Sequence, residues 1–282
     1  IYTSGSTGNP KGVMICHANT NALYKWAQKT YTKEELSLVV ASTSICFDLS
    51  VFEILVGLQL GAKIFLVQDI LSLTYSDHFK DASERISLIN TVPSAIKQLL
   101  ELDAIPASVK VVNLAGEPLK QELVDALYSS GIPKVYDLYG PSEDTTYSTY
   151  TLRKPLGHAN IGRPIQNTQA YLLSSSLQPV PLGSVGELYL GGAGLARGYL
   201  NRPDLTAEKF IANPFHDPSN PASSERLYKT GDLCRYLPDG NIEFLGRIDY
   251  QVKIRGFRIE LGEIENALTS YEFVKDSVVL AR

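Results

Sequence analysis

VKVVNLAGEPLKQELVDALYSSGIPKVYDLYG, residues 109–140, decides the fold. Two short runs rich in β-branched residues, VKVVNLA and KVYDLYG, bracket LKQELVDALYSSG, whose apolar residues recur at helical spacing. The alternation extends upstream, where LSLVVAS, AKIFLVQ and ISLINTV are interleaved with DLSVFEILVGLQL and PSAIKQLLEL. From Leu36 to about Gly140 the chain therefore reads as a parallel sheet covered by helices. Ligands of such sheets bind at the carboxyl ends of the strands, so the residues near Asp48, Asn90, Ala115 and Tyr139 are expected to share one crevice. From about Thr168 to Arg247 the pattern turns antiparallel, with turn signals at residues 179–183 and 238–241, and fits a small β-barrel or sandwich. After Asp249 the chain predicts a strand, an acidic-capped helix and a strand, the start of a small α+β unit. Residues 1–248 are thus expected to form a large core, with 1–167 as helix-covered sheet and 168–248 as barrel, and 249–282 to open a second subdomain.

Composition narrows the function. A chain of 282 residues with 44% hydrophobic content can bury a core for about two domains. The net charge of −4, with Lys and Arg scattered along the chain, argues against a nucleic-acid partner. Cys16, Cys46 and Cys234 are odd in number and widely spaced, which predicts free thiols and a cytoplasmic setting. No apolar run reaches the length of about 18 residues that spans a membrane. There is no G-x-S-x-G and the four histidines are isolated, so serine-hydrolase chemistry has no support. Gly192-Ala193-Gly194 starts a dinucleotide fingerprint, but the third glycine comes one place late at Gly198 and no helix pattern opens there. The chain begins inside a motif and ends just after an apolar run, the texture expected of a piece of something longer.

That first motif, TSGSTGNPKG, residues 3–12, is dense in hydroxyls and glycines and carries one lysine. Glycines let backbone N–H groups approach an anion, hydroxyls add donors and the lysine adds a point charge, a set suited to a polyphosphate. It is no Walker motif, because Pro10 stands where the second glycine belongs and Gly12 where a magnesium-binding hydroxyl belongs. Taken alone it could equally be a Ser/Gly linker. YGPSEDTT, residues 139–146, and YKTGDLCRY, residues 228–236, each place a carboxylate beside a glycine turn. Alone, each is ordinary turn chemistry.

In this order, however, YTSGSTGNPKGV, FDLSVFEI, NLAGEPL, YGPSEDTT, GELYLGGAGLARGYLNRPDLTAEKF, YKTGD and NIEFLGRIDYQVKIRGFRIELGEIE resemble the core motifs of the adenylate-forming superfamily. The likeness is greatest to the amino-acid adenylation domains of nonribosomal peptide synthetases, and it covers essentially the whole chain. It implies the luciferase/acyl-CoA synthetase-like fold and a two-step reaction: a carboxylate attacks the α-phosphate of Mg-ATP, and the acyl group then passes to the phosphopantetheine thiol of a peptidyl carrier domain. Condensation domains would be further partners. Carried over residue by residue, the resemblance implies that Thr3, Ser4, Gly5, Ser6, Thr7, Gly8 and Lys11 hold the β- and γ-phosphates. It implies that Tyr139 stacks on adenine, with Gly116, Glu117, Asp137 and Gly140 around it and Ser142 near the α-phosphate. Glu143 would bind Mg, Asp232 the ribose hydroxyls, and Arg247 would lie beside ribose and phosphate. Phe244 departs from the pattern, since many relatives carry a ribose-contacting Tyr there, a loss of about one hydrogen bond or roughly 0.5–1.5 kcal/mol. Asp249 would be the hinge, with Lys253 and Gly256 serving the thioester-forming state. The family's adenylation lysine would lie beyond Arg282, so the chain alone is expected not to turn over.

The same resemblance places the substrate among Asp48, Leu49, Phe52, Asn90, Asn113, Ala115, Leu138, Thr146 and Tyr147. Asp48 would pair with an α-ammonium group, unless it merely caps the helix predicted at DLSVFEIL, a task Ser50 could also take. Leu49, Phe52, Leu138 and Tyr147 are bulky, and no second charge stands ready for a charged side chain, which points to a small neutral amino acid. The pattern resembles that of alanine-activating modules in microcystin-type synthetases, so L-alanine is the expected substrate. A D-alanine–carrier ligase and an inactive nucleotide-binding module are the alternatives.

Overall fold

The computed structural model describes residues 1–4, 10–74, 85–220, 223–249, 251–254, 256–271 and 273–281. Its larger sheet has seven strands in the order β4-β3-β5-β6-β7-β8-β9. These are β3 (Leu38–Ala41), β4 (Lys63–Leu66), β5 (Leu88–Thr91), β6 (Val111–Ala115), β7 (Lys134–Tyr139), β8 (Thr149–Arg153) and β9 (Arg163–Pro164), with β1 (Tyr2–Thr3) and β2 (Lys11–Gly12) forming a separate pair. β3 to β7 run parallel, and β8 and β9 are antiparallel additions.

Alternation with period two sorts the strand residues to two buried faces. Val39, Leu88, Val111, Ala115, Tyr136 and Leu138 share one cluster with Leu23 and Trp26 of α1 (His17–Thr30). Val40, Ile89, Val112, Leu114 and Val135 face the other way, against Ile96 and Leu99 of the helix Pro93–Glu101 and Val124 and Leu127 of the helix Gln121–Ser129. One stretch of the first face is unusual. Val51–Val56 forms a π-helical turn continued by a short α segment, Gly57–Gln59. Such turns are rare and concentrate at functional sites.

The second sheet is antiparallel and five-stranded: β10 (Thr168–Leu173), β11 (Gly186–Gly192), β12 (Phe210–Ala212), β13 (Arg226–Tyr236) and β14 (Ile242–Arg247). β13 is long enough to pair with β12 at its start and β14 at its end. The two sheets are stitched at Ile161 and Gly162, whose backbone exchanges hydrogen bonds of 2.8 and 2.7 Å with Ile242. Tyr139 and Ile161 then pack into the second sheet's core with Leu188, Leu190 and Cys234.

The last stretch departs from expectation. A hairpin of β15 (Val252–Ile254) and β16 (Phe257–Ile259) replaces a single strand before the helix Leu261–Thr269. Among the described residues, the strand expected near the C-terminus is not formed. Val279 N–H donates instead to the Glu265 carboxylate at 2.9 Å. The cysteines form no disulfide, and among the described residues no helix is long and apolar enough to cross a membrane.

Gly162 adopts φ +77°, and a Cβ there would sit 1.8 Å from the Tyr150 carbonyl oxygen. Gly162→Ala should therefore cost about 3 kcal/mol by forcing residue 162 off the β8 backbone and so displacing its bridge to Ile242, read as a lower urea midpoint in far-ultraviolet circular dichroism.

Candidate active site

The loops that leave the carboxyl ends of β3, β6 and β7 meet strand β13 of the second sheet and the β15–β16 hairpin around a cavity of about 250 Å³. Many of the residues singled out from the sequence line it: Thr3, Ser4, Asp48, Leu49, Ala115, Gly116, Tyr139, Gly140, Ser142, Thr146, Asp232, Arg247, Lys253 and Gly256. Gly5, Ser6, Thr7 and Gly8 lie outside the described residues.

Asp48 is 5% exposed and its carboxylate accepts a 2.6 Å hydrogen bond from the Ser142 hydroxyl, while Val51 N–H of the turn that follows donates to the Asp48 backbone carbonyl. Ser50 does not cap with its side chain; its hydroxyl donates to the Phe47 carbonyl. Burial raises the pKa of Asp48, while Ser142 and the Lys253 ammonium pull it back. The Thr146 hydroxyl fixes the backbone carbonyl of Asp48 at 2.9 Å.

Phe52, Leu138 and Tyr147 form a buried layer with Leu49 and Ala115, closed from behind by Trp26 and Tyr31. Asn90 and Asn113 are not crevice residues at strand ends. They sit side by side within β5 and β6, 1% and 0% exposed, beneath that layer. Asn90 accepts from the Tyr147 hydroxyl at 2.5 Å, and Asn113 from the Tyr31 hydroxyl at 3.1 Å.

At the opposite end, the Tyr139 hydroxyl donates to Asp232, which also takes Arg247 Nη1 at 2.5 Å. Arg247 grips Asp249 with Nε and Nη2 at 2.6 and 2.7 Å. Phe244 lies 6.4 Å from the Tyr139 ring, centre to centre, and Lys253 Nζ stands 5.9 Å from the centre of that ring. Lys11 Nζ lies 3.4 Å from Glu143 Oε1, which also accepts from the Tyr199 hydroxyl at 2.7 Å. Tyr199 escaped the sequence reading because nothing in GYLNRPD marks a tyrosine as functional.

Two expected adenine neighbours have other partners. Asp137 gives its carboxylate to Arg153 at 2.7 Å, away from the cavity; burial raises its pKa to about 7 against the pull of that guanidinium. Glu117 accepts from Ser94 N–H at 2.8 Å, the Ser94 hydroxyl at 3.0 Å and Gly256 N–H at 2.9 Å, tying the β15–β16 hairpin to the parallel sheet. The glycine-rich stretch that starts like a dinucleotide fingerprint is scaffold. Asn19 Nδ2 donates to the Ala193 and Leu195 carbonyls, and Ala196 N–H donates to that of Glu143.

A family profile described as AMP-binding enzyme matches residues 1–200. One linear gramicidin synthase of Brevibacillus parabrevis is 58% identical over 285 residues, which take in 100% of this chain and 5% of that protein. The chain thus spans about one twentieth of that relative's length. Among solved structures, the Vibrio cholerae adenylation domain AlmE in complex with glycyl-adenosine-5'-phosphate superposes with a TM-score of 0.83 at 28% identity, covering 96% of this chain and 51% of that one. An artificially fused adenylation–PCP di-domain of a nonribosomal peptide synthetase from Klebsiella oxytoca, NpsA-ThdA, gives 0.81 at 27% identity, covering 98% and 55%.

Asp144, beside Glu143, is 1% exposed; Ser148 donates to its Oδ2 at 2.6 Å, and among the described residues its Oδ1 has no hydrogen-bond partner. Burial raises its pKa to about 8. Between its unfolded value of about 4 and that folded value, the folded state keeps a proton the unfolded state releases, so stability falls as pH rises through this window. Asp144→Asn should flatten that fall, measured as the difference between urea midpoints at pH 5 and pH 8.5.

Proposed function

The chain belongs to the AMP-binding enzyme family, and from that membership we propose that it activates a small neutral α-amino acid, L-alanine foremost, by reaction with Mg-ATP. The single observation that carries the substrate class is Asp48, a buried carboxylate on the cavity wall beside Leu49, Ala115 and Thr146, with bulky Phe52, Leu138 and Tyr147 closing the space behind. An ammonium group would satisfy Asp48, and only a short neutral side chain would fit the remaining volume.

In this reading an oxygen of the amino-acid carboxylate attacks the α-phosphorus of ATP, and the bond to the bridging oxygen of pyrophosphate breaks, leaving an aminoacyl adenylate. Lys11 offsets charge on the departing phosphates, Ser142 faces the α-phosphate, and Tyr139 stacks on adenine beside Gly116. Asp232 exchanges one of its present donors for the ribose hydroxyls, with Arg247 alongside. Magnesium would rest on Glu143, whose Oε1 stands beside Lys11 Nζ and the Tyr199 hydroxyl, and on the phosphates of the nucleotide. When bound it supplies positive charge to the displacement, and the hard carboxylate oxygen of Glu143 suits it.

We further propose that the product is passed to the phosphopantetheine thiol of a carrier domain, in the setting of nonribosomal peptide synthesis. The sulfur attacks the acyl carbonyl and AMP departs. The likeness to the adenylation–PCP di-domain supports this step. Residues 249–282 would rotate about Asp249 between the two half-reactions, bringing Lys253 and Gly256 to the second.

Amino-acid-dependent ATP–pyrophosphate exchange on the intact protein should peak at L-alanine. Asp48→Ala should lower it by about 100-fold or more, because the buried ammonium loses its counter-charge. A peak at D-alanine would favour a carrier ligase, a peak at a large or charged amino acid would refute the pocket reading, and no exchange with any amino acid would sink the activity.

A further inference from the structure

Glu53 is 0% exposed, stands on the π-helical turn and faces no cation at ion-pair distance among the described residues. Its carboxylate is instead met by four neutral donors. Ser42 N–H and Thr43 N–H donate to Oε2, each at 3.0 Å; the Thr43 hydroxyl donates to Oε1 at 2.6 Å, and Asn90 Nδ2 to the same oxygen at 3.2 Å. Burial raises its pKa and these donors oppose the rise.

Because the carboxylate can only accept, it fixes which way the Asn90 amide points: Nδ2 toward Glu53, Oδ1 toward Tyr147. The Tyr147 hydroxyl is thereby held as a donor and its ring is pinned against Phe52, ring centres 5.6 Å apart. The same carboxylate anchors Ser42 and Thr43, the first residues of the loop that carries Asp48. A hydrogen-bonded chain is required here because Tyr147 lies over the middle of the sheet, where an unpaired hydroxyl or amide would be costly.

We propose that Glu53 is a positioning residue for substrate selection, acting through Asn90 on Tyr147 and through residues 42–43 on Asp48, so that the side-chain space stays small. This rests on the activity proposed above and deepens it. Replacing the acceptor-only carboxylate by an amide can place an N–H₂ group against the Asn90 Nδ2, so Asn90 turns over, and the Tyr147 hydroxyl loses its acceptor and must take the Asn90 Nδ2 as donor instead.

The test is exchange kinetics on the intact protein with alanine, 2-aminobutyrate and valine. Glu53→Gln should raise the ratio of kcat/KM for 2-aminobutyrate over alanine by about fivefold or more, through the amino-acid KM, with the KM for ATP held within about twofold. Tyr147→Phe should shift the ratio the same way, and the double variant should add little to the larger single effect, since both cut one chain. A folded Glu53→Gln protein with an unmoved ratio, or two fully additive effects, overturns the relay. If Glu53→Gln does not fold, Thr43→Val removes one of its donors and leaves the charge; an unmoved ratio in both Thr43→Val and Tyr147→Phe is then equally fatal. Absence of exchange in the unaltered protein would take the activity and the relay down together, whereas alanine exchange with an unmoved ratio would sink the relay alone.

Discussion

The structure turns on a carboxylate shared by three parts of the chain. Asp232, 6% exposed on β13, takes the Tyr139 hydroxyl from the end of the parallel sheet and the Arg247 guanidinium from β14. Arg247 in turn holds Asp249 at the entrance to the hairpin. A buried ion pair of this kind adds little net stability against well-packed apolar side chains, but losing one partner leaves an uncompensated charge, so the geometry is tightly specified. The cavity exists because these groups fix the second sheet and the hairpin over the open end of the first. Anything that binds there and competes for Asp232 must be rich in hydroxyl or cationic donors, and it necessarily loosens the connection to Asp249.

The amino-acid end is built by another rule. Strand periodicity alone sends Ala115 and Leu138 to the face that already holds Phe52, Tyr147 and Trp26, so the pocket wall is the end of the hydrophobic core. A core packed at crystal density cannot yield easily, which makes its polar inclusions, Asn90, Asn113 and Glu53, the natural places where its shape is set.

Much of this is legible in the sequence itself. The strand and helix order followed from runs such as VKVVNLA and KVYDLYG, since a short β-branched run beside a helical period leaves few topologies. The clustering of Asp48, Ser142 and Thr146 was legible from motif order, although they are about 95 residues apart in sequence. Partner choice among polar groups was not legible. Asp137 chooses Arg153, Glu117 chooses Ser94 and Gly256, and Tyr199 reaches Glu143, all through contacts distant in sequence that no local pattern encodes. The π-helical turn was hidden for a related reason: DLSVFEILVGLQL carries an ordinary helical period, and the extra residue per turn shows only when Glu53 is seen reaching inward.

Trp26 is the chain's single tryptophan, and it lies fully enclosed behind the wall formed by Phe52 and Tyr147, at ring distances of 6.4 and 6.0 Å. Its indole N–H has no hydrogen-bond partner among the described residues. An indole in that position is a built-in optical probe: its emission belongs to one site only, starts from an apolar environment, and answers to any rearrangement of the two rings in front of it. Occupancy of the pocket can thus be followed without a label, and without waiting for a bond to be made or broken.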